Sequence, residues 1–333
     1  LIFKSKKLET ANLFVNAGLI LLPIFLVRSQ TIWEQMIIIS LLETVRQVSS
    51  SGTGLERTTH SLANLVNVNL KLFLLIFTFG ILHGANDLVL ISQLKIGKKS
   101  KFIKILLSYV TIVLISVLLF TKIPMVALVL FILVSSYHFG EQHWQVILRD
   151  GTILLIKLFQ FNFGLLLLML LFSFNKQAVI QIVNKITNII VTEYEINVAL
   201  LITIGVFLVN SLLLIKTSTS FKKNAIEQLF YLILLCIIFK VSGLIWGFTI
   251  YFIFWHSIPS LNDQIKFLYG NYSFSNFKKY FKSAFIYWII SLLGISVLFL
   301  ISKDWVIFDA LFFSFLAAIT FPHAIVIVKM YEN

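Results

Sequence analysis

The sequence predicts an all-α integral membrane protein, a bundle of about ten transmembrane helices with a histidine metal site in its cytoplasmic half. Three observations carry this fold class. The 333 residues are 59% hydrophobic and only 12% charged, with a mean hydropathy of +0.96. Soluble domains carry roughly 25% charged residues. The apolar residues gather into runs, most of them close to the about 20 residues that cross a bilayer. The basic residues fall between those runs and favour alternate loops. No polar stretch is long enough to bury a core of its own, so residues 1–333 form a single multi-pass membrane domain.

The runs are 10–27, 70–92, 103–120, 123–146, 152–174, 196–215, 225–240, 242–262, 280–301 and 304–328. The basic opening Lys4-Ser5-Lys6-Lys7 before the first run imitates a signal peptide, but no small-x-small site follows clearly, and a first membrane helix is expected. Residues 28–69 are expected as an outer loop. Within them Thr31 to Val48 is amphipathic and suited to lie along the interface, and Ser49 to Gly54 reads as flexible. The weakest span is 225–240, because only Lys240 and Gly243 interrupt a continuous run from Ala225 to Pro259. Asn175 to Glu195 is expected as a second polar, partly helical excursion.

The net charge of +13 does not point to nucleic acid, because the positive residues are spread between apolar segments. It reads as the loop bias that sets membrane orientation. With the N-terminus inside, two thirds of the 27 Lys and Arg residues fall on inside stretches. This places the chain in the cell (inner) membrane with both termini cytoplasmic. Cys236 is the only cysteine, which excludes intrachain disulfides and thiolate or iron–sulfur centres.

His83, His138, His256 and His323 lie inside apolar runs, where ionisable groups are expensive and usually functional. All four fall on runs that cross from outside to inside. Each precedes the next cytoplasmic basic residue (Lys95, Arg149, Lys266 and Lys329) by a similar stretch. The first three therefore differ in depth by only about 3 Å at 1.5 Å per residue, and the fourth by a further turn. Any one of these histidines alone is as well explained by a hydrogen bond to a neighbouring helix. Four at one level favour a metal site.

Their neighbours strengthen that reading. Asp87 follows His83 by one helical turn, and Glu141 and Gln142 follow His138 on the same side. A metal-bound imidazole normally gives its other N–H to a carboxylate or carbonyl, so Asp87 and Glu141 are expected to orient imidazoles. Asp263, seven residues after His256, is a further candidate for that role. Gly84 and Gly140 would allow close helix approach, and Pro259 and Pro322 bend their helices beside His256 and His323. His143 points off the His138 face and reads as interfacial, and His60 as a solvated loop residue. Trp144, Trp246 and Trp305 read as membrane-interface residues.

An imidazole set suits iron, zinc, copper or nickel, and a two-histidine, one-carboxylate iron site using Asp87 or Glu141 is the chemical alternative. The sequence carries no GxSxG elbow, HExxH pair, P-loop or GxGxxG, and none of the histidine boxes of membrane di-iron desaturases.

Four motifs in order, His83-Gly84-x-x-Asp87, Tyr137-His138-Phe139-Gly140-Glu141, Trp255-His256-Ser257 and Pro322-His323, resemble the Brp/Blh family of β-carotene 15,15′-dioxygenases. The resemblance covers most of the chain. It implies an Fe(II) enzyme that cleaves the central double bond of β-carotene with O2 to give two retinal molecules. It also implies iron held by His83, His138 and His256, no organic cofactor, and a rhodopsin-type apoprotein as retinal acceptor in the same bilayer. Some family members have a second histidine four residues after the Trp-His motif. Here that position is Ser260, which leaves His323 as the candidate fourth ligand. A metal-ion or proton-coupled transporter, or a membrane iron oxygenase acting on another lipid, are the competing functions. Transport ranks lower because the outer halves of these helices offer little polarity.

Overall fold

Asn162, Phe163 and Gly164 are consecutive buried residues on a helix that packs against several others. A computed structural model describes residues 80–93, 99–301 and 305–332 of the chain. The helices among them are α1 (Asp87–Gln93), α2 (Lys99–Lys122), α3 (Pro124–Trp144), α4 (Ile153–Phe174), α5 (Lys176–Thr187) and α6 (Glu193–Thr217). They continue with α7 (Thr219–Val241), α8 (Leu244–Ile250), a π-helical turn (Tyr251–Ser257), α9 (Ile258–Tyr269), α10 (Phe274–Ile301) and α11 (Trp305–Tyr331). No strand occurs among the described residues.

Six helices are long and apolar enough to cross a membrane: α3, α4, α6, α7, the broken helix Leu244–Tyr269, and α11 from Ser314. Helix α2 adds a shorter apolar stretch, Leu106–Lys122. The described residues are those of an all-helical membrane protein. The predicted first span (10–27) and the predicted interfacial helix (31–48) lie outside the described residues.

Helix α4 is predominantly apolar and buries residues along most of its length, from Phe159 to Leu171. Its approach to α3 is set by two glycines. A Cβ on Gly140 would overlap the Gln160 carbonyl, and one on Gly164 would overlap the Ser136 carbonyl. With no side chains there, the two backbones touch, the small-residue packing that drives helix association in membranes. Gly84 does not act this way: a Cβ there would meet His323 Nδ1 at an ordinary 3.7 Å.

The polar excursion after α4 is the amphipathic helix α5, which buries Val179 and Ile182 and ends at Asn188, in the left-handed region with φ 56°. Thr192 and Glu195 then form a capping box that starts α6: the Thr192 N–H donates to Glu195 Oε2 at 2.7 Å, and the Glu195 N–H donates to Thr192 Oγ1 at 3.3 Å. The weak span 225–240 is the C-terminal part of α7, which begins earlier because Ser218 caps it, accepting from the Phe221 N–H at 3.0 Å. Asp150, in the α3–α4 loop, reaches the same helix start. It accepts from the Thr219 N–H and hydroxyl at 2.7 and 2.6 Å, from the Ser218 hydroxyl at 2.8 Å, and from the Ser220 hydroxyl. The Ser220 hydroxyl, then Thr219 and Ser218, hold the Asp150 carboxyl well below the usual carboxylate range.

Trp144 departs from the interfacial role predicted for it. It is 2% exposed, with its ring 4.9 Å from Phe159 and 5.4 Å from both Phe163 and Phe221. Aromatic neighbours on α4 and α7 enclose it in the core.

Candidate metal centre

Each of the four histidines singled out in the sequence reaches the cluster by a different local device. His83 sits in a run of turns, residues 83–86, between a short helical stretch and α1. His138 lies in the regular part of α3. His256 lies in the π-helical turn, where the Ile258 N–H bonds back to the Ile253 carbonyl and Ser257 Oγ donates to the Phe252 carbonyl at 2.7 Å. The expected bend before Pro259 thus takes the form of a widened turn, a feature frequent at functional sites. The His256 carbonyl is met from the side by Gln142 Nε2 at 2.7 Å. His323 follows Pro322 inside α11.

The four rings form a closed circuit. Centroid distances are 5.0 Å from His83 to His256, 4.8 Å from His256 to His138, 5.1 Å from His138 to His323 and 4.8 Å from His323 back to His83. Each neighbouring pair meets edge to face. One nitrogen from each of His83, His256 and His323 lies within 4.8 Å of the others. All four side chains are buried: 3%, 1%, 2% and 4% exposed in sequence order.

Each ring keeps at least one nitrogen without a protein partner. His83 Nδ1, both nitrogens of His138, His256 Nδ1 and His323 Nε2 are buried with no hydrogen-bond partner. A buried polar group left unpaired costs about 1–3 kcal/mol, so so many orphans in one spot call for a common acceptor of lone pairs. A metal ion is such an acceptor, and the donor set suits a borderline transition metal. His323 differs from the rest. Its Nδ1 is 2.8 Å from Asp87 Oδ1, which leaves Nε2 for the centre.

A family model described as β-carotene 15,15′-dioxygenase matches residues 74–331. The chain belongs to that family. No curated protein and no solved structure matches it. All four histidines, and Asp87, Glu141 and Asp263, fall inside the stretch that the β-carotene 15,15′-dioxygenase model covers.

The acidic residues are distributed differently from expectation. Asp87 is predicted beside His83 on a continuous helix. The turns at 83–86 break that register, and Asp87 faces His323 instead, with the Tyr109 hydroxyl donating to its Oδ2 at 3.1 Å. Glu141 is predicted beside His138, yet its Oε1 accepts from the Tyr137 hydroxyl at 2.8 Å, and no imidazole bonds it. Asp263 accepts from the Tyr331 hydroxyl at 3.1 Å and pairs with Lys266 at 3.9 Å. His143, read as interfacial, stacks on Phe163 at 4.8 Å and shares a 2.7 Å hydrogen bond with Gln228. His60 lies outside the described residues.

In this member of the β-carotene 15,15′-dioxygenase family Ser260 is fully buried and accepts from Gln264 Nε2 at 3.1 Å. The Tyr280 hydroxyl lies 2.6 Å from Gln264 Oε1 and 3.0 Å from the His83 carbonyl. Asn86 Nδ2 donates to the Tyr280 carbonyl at 2.9 Å, which pins the His83 turn to α10. Tyr109, Gln264 and Tyr280 were not legible as site residues. Asn86 carried a signal, being a polar side chain in the same apolar run as His83 and Asp87. Phe139 and Phe252 close the apolar side of the cluster, with rings 4.7 and 5.3 Å from that of His256.

Proposed function

We propose that this chain cleaves the central 15,15′ double bond of β-carotene with O2, giving two retinal molecules, with Fe(II) held by His83, His138, His256 and His323. The observation that carries this reading is the closed circuit of four buried imidazoles with unpartnered nitrogens. Bound iron with open coordination positions supplies O2 binding and activation. The chain's own residues do the rest. Asp87 accepts from His323 Nδ1–H, fixes that ring's tautomer and turns Nε2 inward. Tyr280 and Asn86 hold the His83 turn in place. Phe139 and Phe252 keep water from the imidazoles and give a hydrocarbon an apolar surface beside them.

β-Carotene partitions into the bilayer core, so an enzyme embedded there admits it between helices. The loop charges favour a cell membrane orientation with both termini cytoplasmic, and retinal leaves toward a rhodopsin-type apoprotein in the same membrane. Expression in cells that accumulate β-carotene tests the reading. Loss of orange colour with formation of retinal is expected, and unchanged pigment around a membrane-inserted, iron-loaded protein contradicts it. Product analysis separates this activity from an iron oxygenase acting on another lipid. The apolar wall beside the imidazoles favours a hydrocarbon substrate over the ion path that a transporter needs.

A further inference from the structure

A cavity of about 290 Å3 lies between α3, α4, α5, α6 and α8. Its wall on α3 is a single face, Met125, Leu128, Val129, Ile132, Ser135 and Phe139, at the spacing that stacks side chains along a helix. The face runs about 21 Å at 1.5 Å per residue, so the cavity extends along much of α3. Apart from Ser135 and Glu195 the lining is apolar, and Glu195 is an exposed residue at the start of α6.

The inner end reaches the imidazoles through aromatic rings. Phe139 lines the cavity and lies against the His256 ring at 4.7 Å. Phe248 also lines it and stacks at 5.2 Å on Phe252, which in turn stacks on His256. Small-molecule sites usually measure about 300–1,000 Å3, so this cavity falls just below that range and is small for a whole carotenoid.

We infer that this cavity is the channel for one arm of a linear polyene, with Phe139 at its inner end placing the central double bond beside the four imidazoles. The inference rests on the carotenoid reading above. The arm enters ring first, extends along α3 and leaves the other half on the far side of the histidines. The channel length then determines which double bond meets the metal site.

The test uses the full-length protein in lipid with Val129→Trp, at a cavity-lining position exposed enough to take a larger side chain, and Ala199→Phe on the opposite wall as a second obstruction. Two substrates are compared: β-carotene, with two complete arms, and a β-apocarotenal with one complete and one truncated arm. Either variant is expected to lower kcat/KM for β-carotene by about 10-fold or more while leaving the apocarotenal within about 2-fold, the scale of discrimination by pocket shape. Metal content is expected to be unchanged. Bound β-carotene, measured by its absorption in the purified protein, is expected to fall in both variants. Unchanged cleavage and binding of β-carotene in both variants overturns the channel, and so does equal loss on both substrates with metal retained. A wild-type protein that binds β-carotene, loses that binding in the variants and forms no retinal leaves the channel standing and removes the cleavage reading.

Discussion

Asp87 Oδ1 and His323 Nδ1 are 2.8 Å apart, across a sequence separation of 236 residues. Both side chains are almost fully buried, and the Tyr109 hydroxyl holds the carboxylate from its other oxygen. This bond joins the first described turn of the chain to the last helix and aims one imidazole nitrogen at the other three rings.

The first prediction concerns that bond. Asp87→Asn keeps the shape but removes the charge, and its amide can present the wrong group to Nδ1. Metal affinity is expected to fall by about 10–100-fold, the range found when the partner of a metal-bound histidine is changed. Metal titration of the purified protein checks this, and Asp87→Ala is expected to fall at the lower end or below. Tyr109→Phe leaves the His323 bond in place and is expected to have a smaller effect.

Single replacements of His83, His138, His256 and His323 by Ala are each expected to abolish retinal formation and lower bound iron. His323 is the most informative, because the family resemblance alone assigns only the first three. Full activity in His323→Ala would leave three imidazoles as the protein's share.

The contact of α3 with α4 is set by Gly140 and Gly164, where added side chains would strike backbone rather than flexible atoms. Gly164→Val is expected to destabilise the protein by at least about 2 kcal/mol through overpacking. Thermal unfolding in detergent measures it, with Gly205→Ala as control, since nothing lies within 4 Å of a Cβ there.

Asp150 gives a pH dependence outside the membrane. Its folded pKa is depressed by the hydroxyls of Ser220, Thr219 and Ser218 and by the Thr219 N–H. A depressed carboxylate contributes stability that is present above its ordinary pKa, about 3.9, and is lost as pH falls toward the folded value. Asp150→Asn is therefore expected to lower Tm at neutral pH, with the difference from wild type shrinking below about pH 4. A Tm difference that stays constant from neutral pH into that acid range would remove the charge argument.

The helical membrane class followed from composition, since runs such as Ile153 to Phe174 are long and almost wholly apolar. Gly140, in the same motif as His138, also signalled the tight α3–α4 approach. The four histidines were legible because an imidazole inside an apolar run is costly wherever it lies. Their partners were not. Helical periodicity assigns Asp87 to His83 only if the helix continues, and the turns at 83–86 rotate it toward α11 instead. Tyr280 and Gln264 join the site through packing between distant helices, which no local spacing reports. Pro259 announced a disturbance near His256, but a proline alone does not say whether the helix kinks or widens into a π turn. Trp144 has the composition of an interface residue, and only the rings of Phe159, Phe163 and Phe221 make it a core one.

The most direct measurement is made on purified protein in liposomes containing β-carotene. The protein is stripped of metal, reloaded with Fe(II) without oxygen and then exposed to O2, with iron and retinal quantified on the same sample. One iron per chain, two retinal molecules per β-carotene consumed and no retinal from the stripped protein are the predicted result. Retinal formation at an undiminished rate by the iron-free protein would contradict the account.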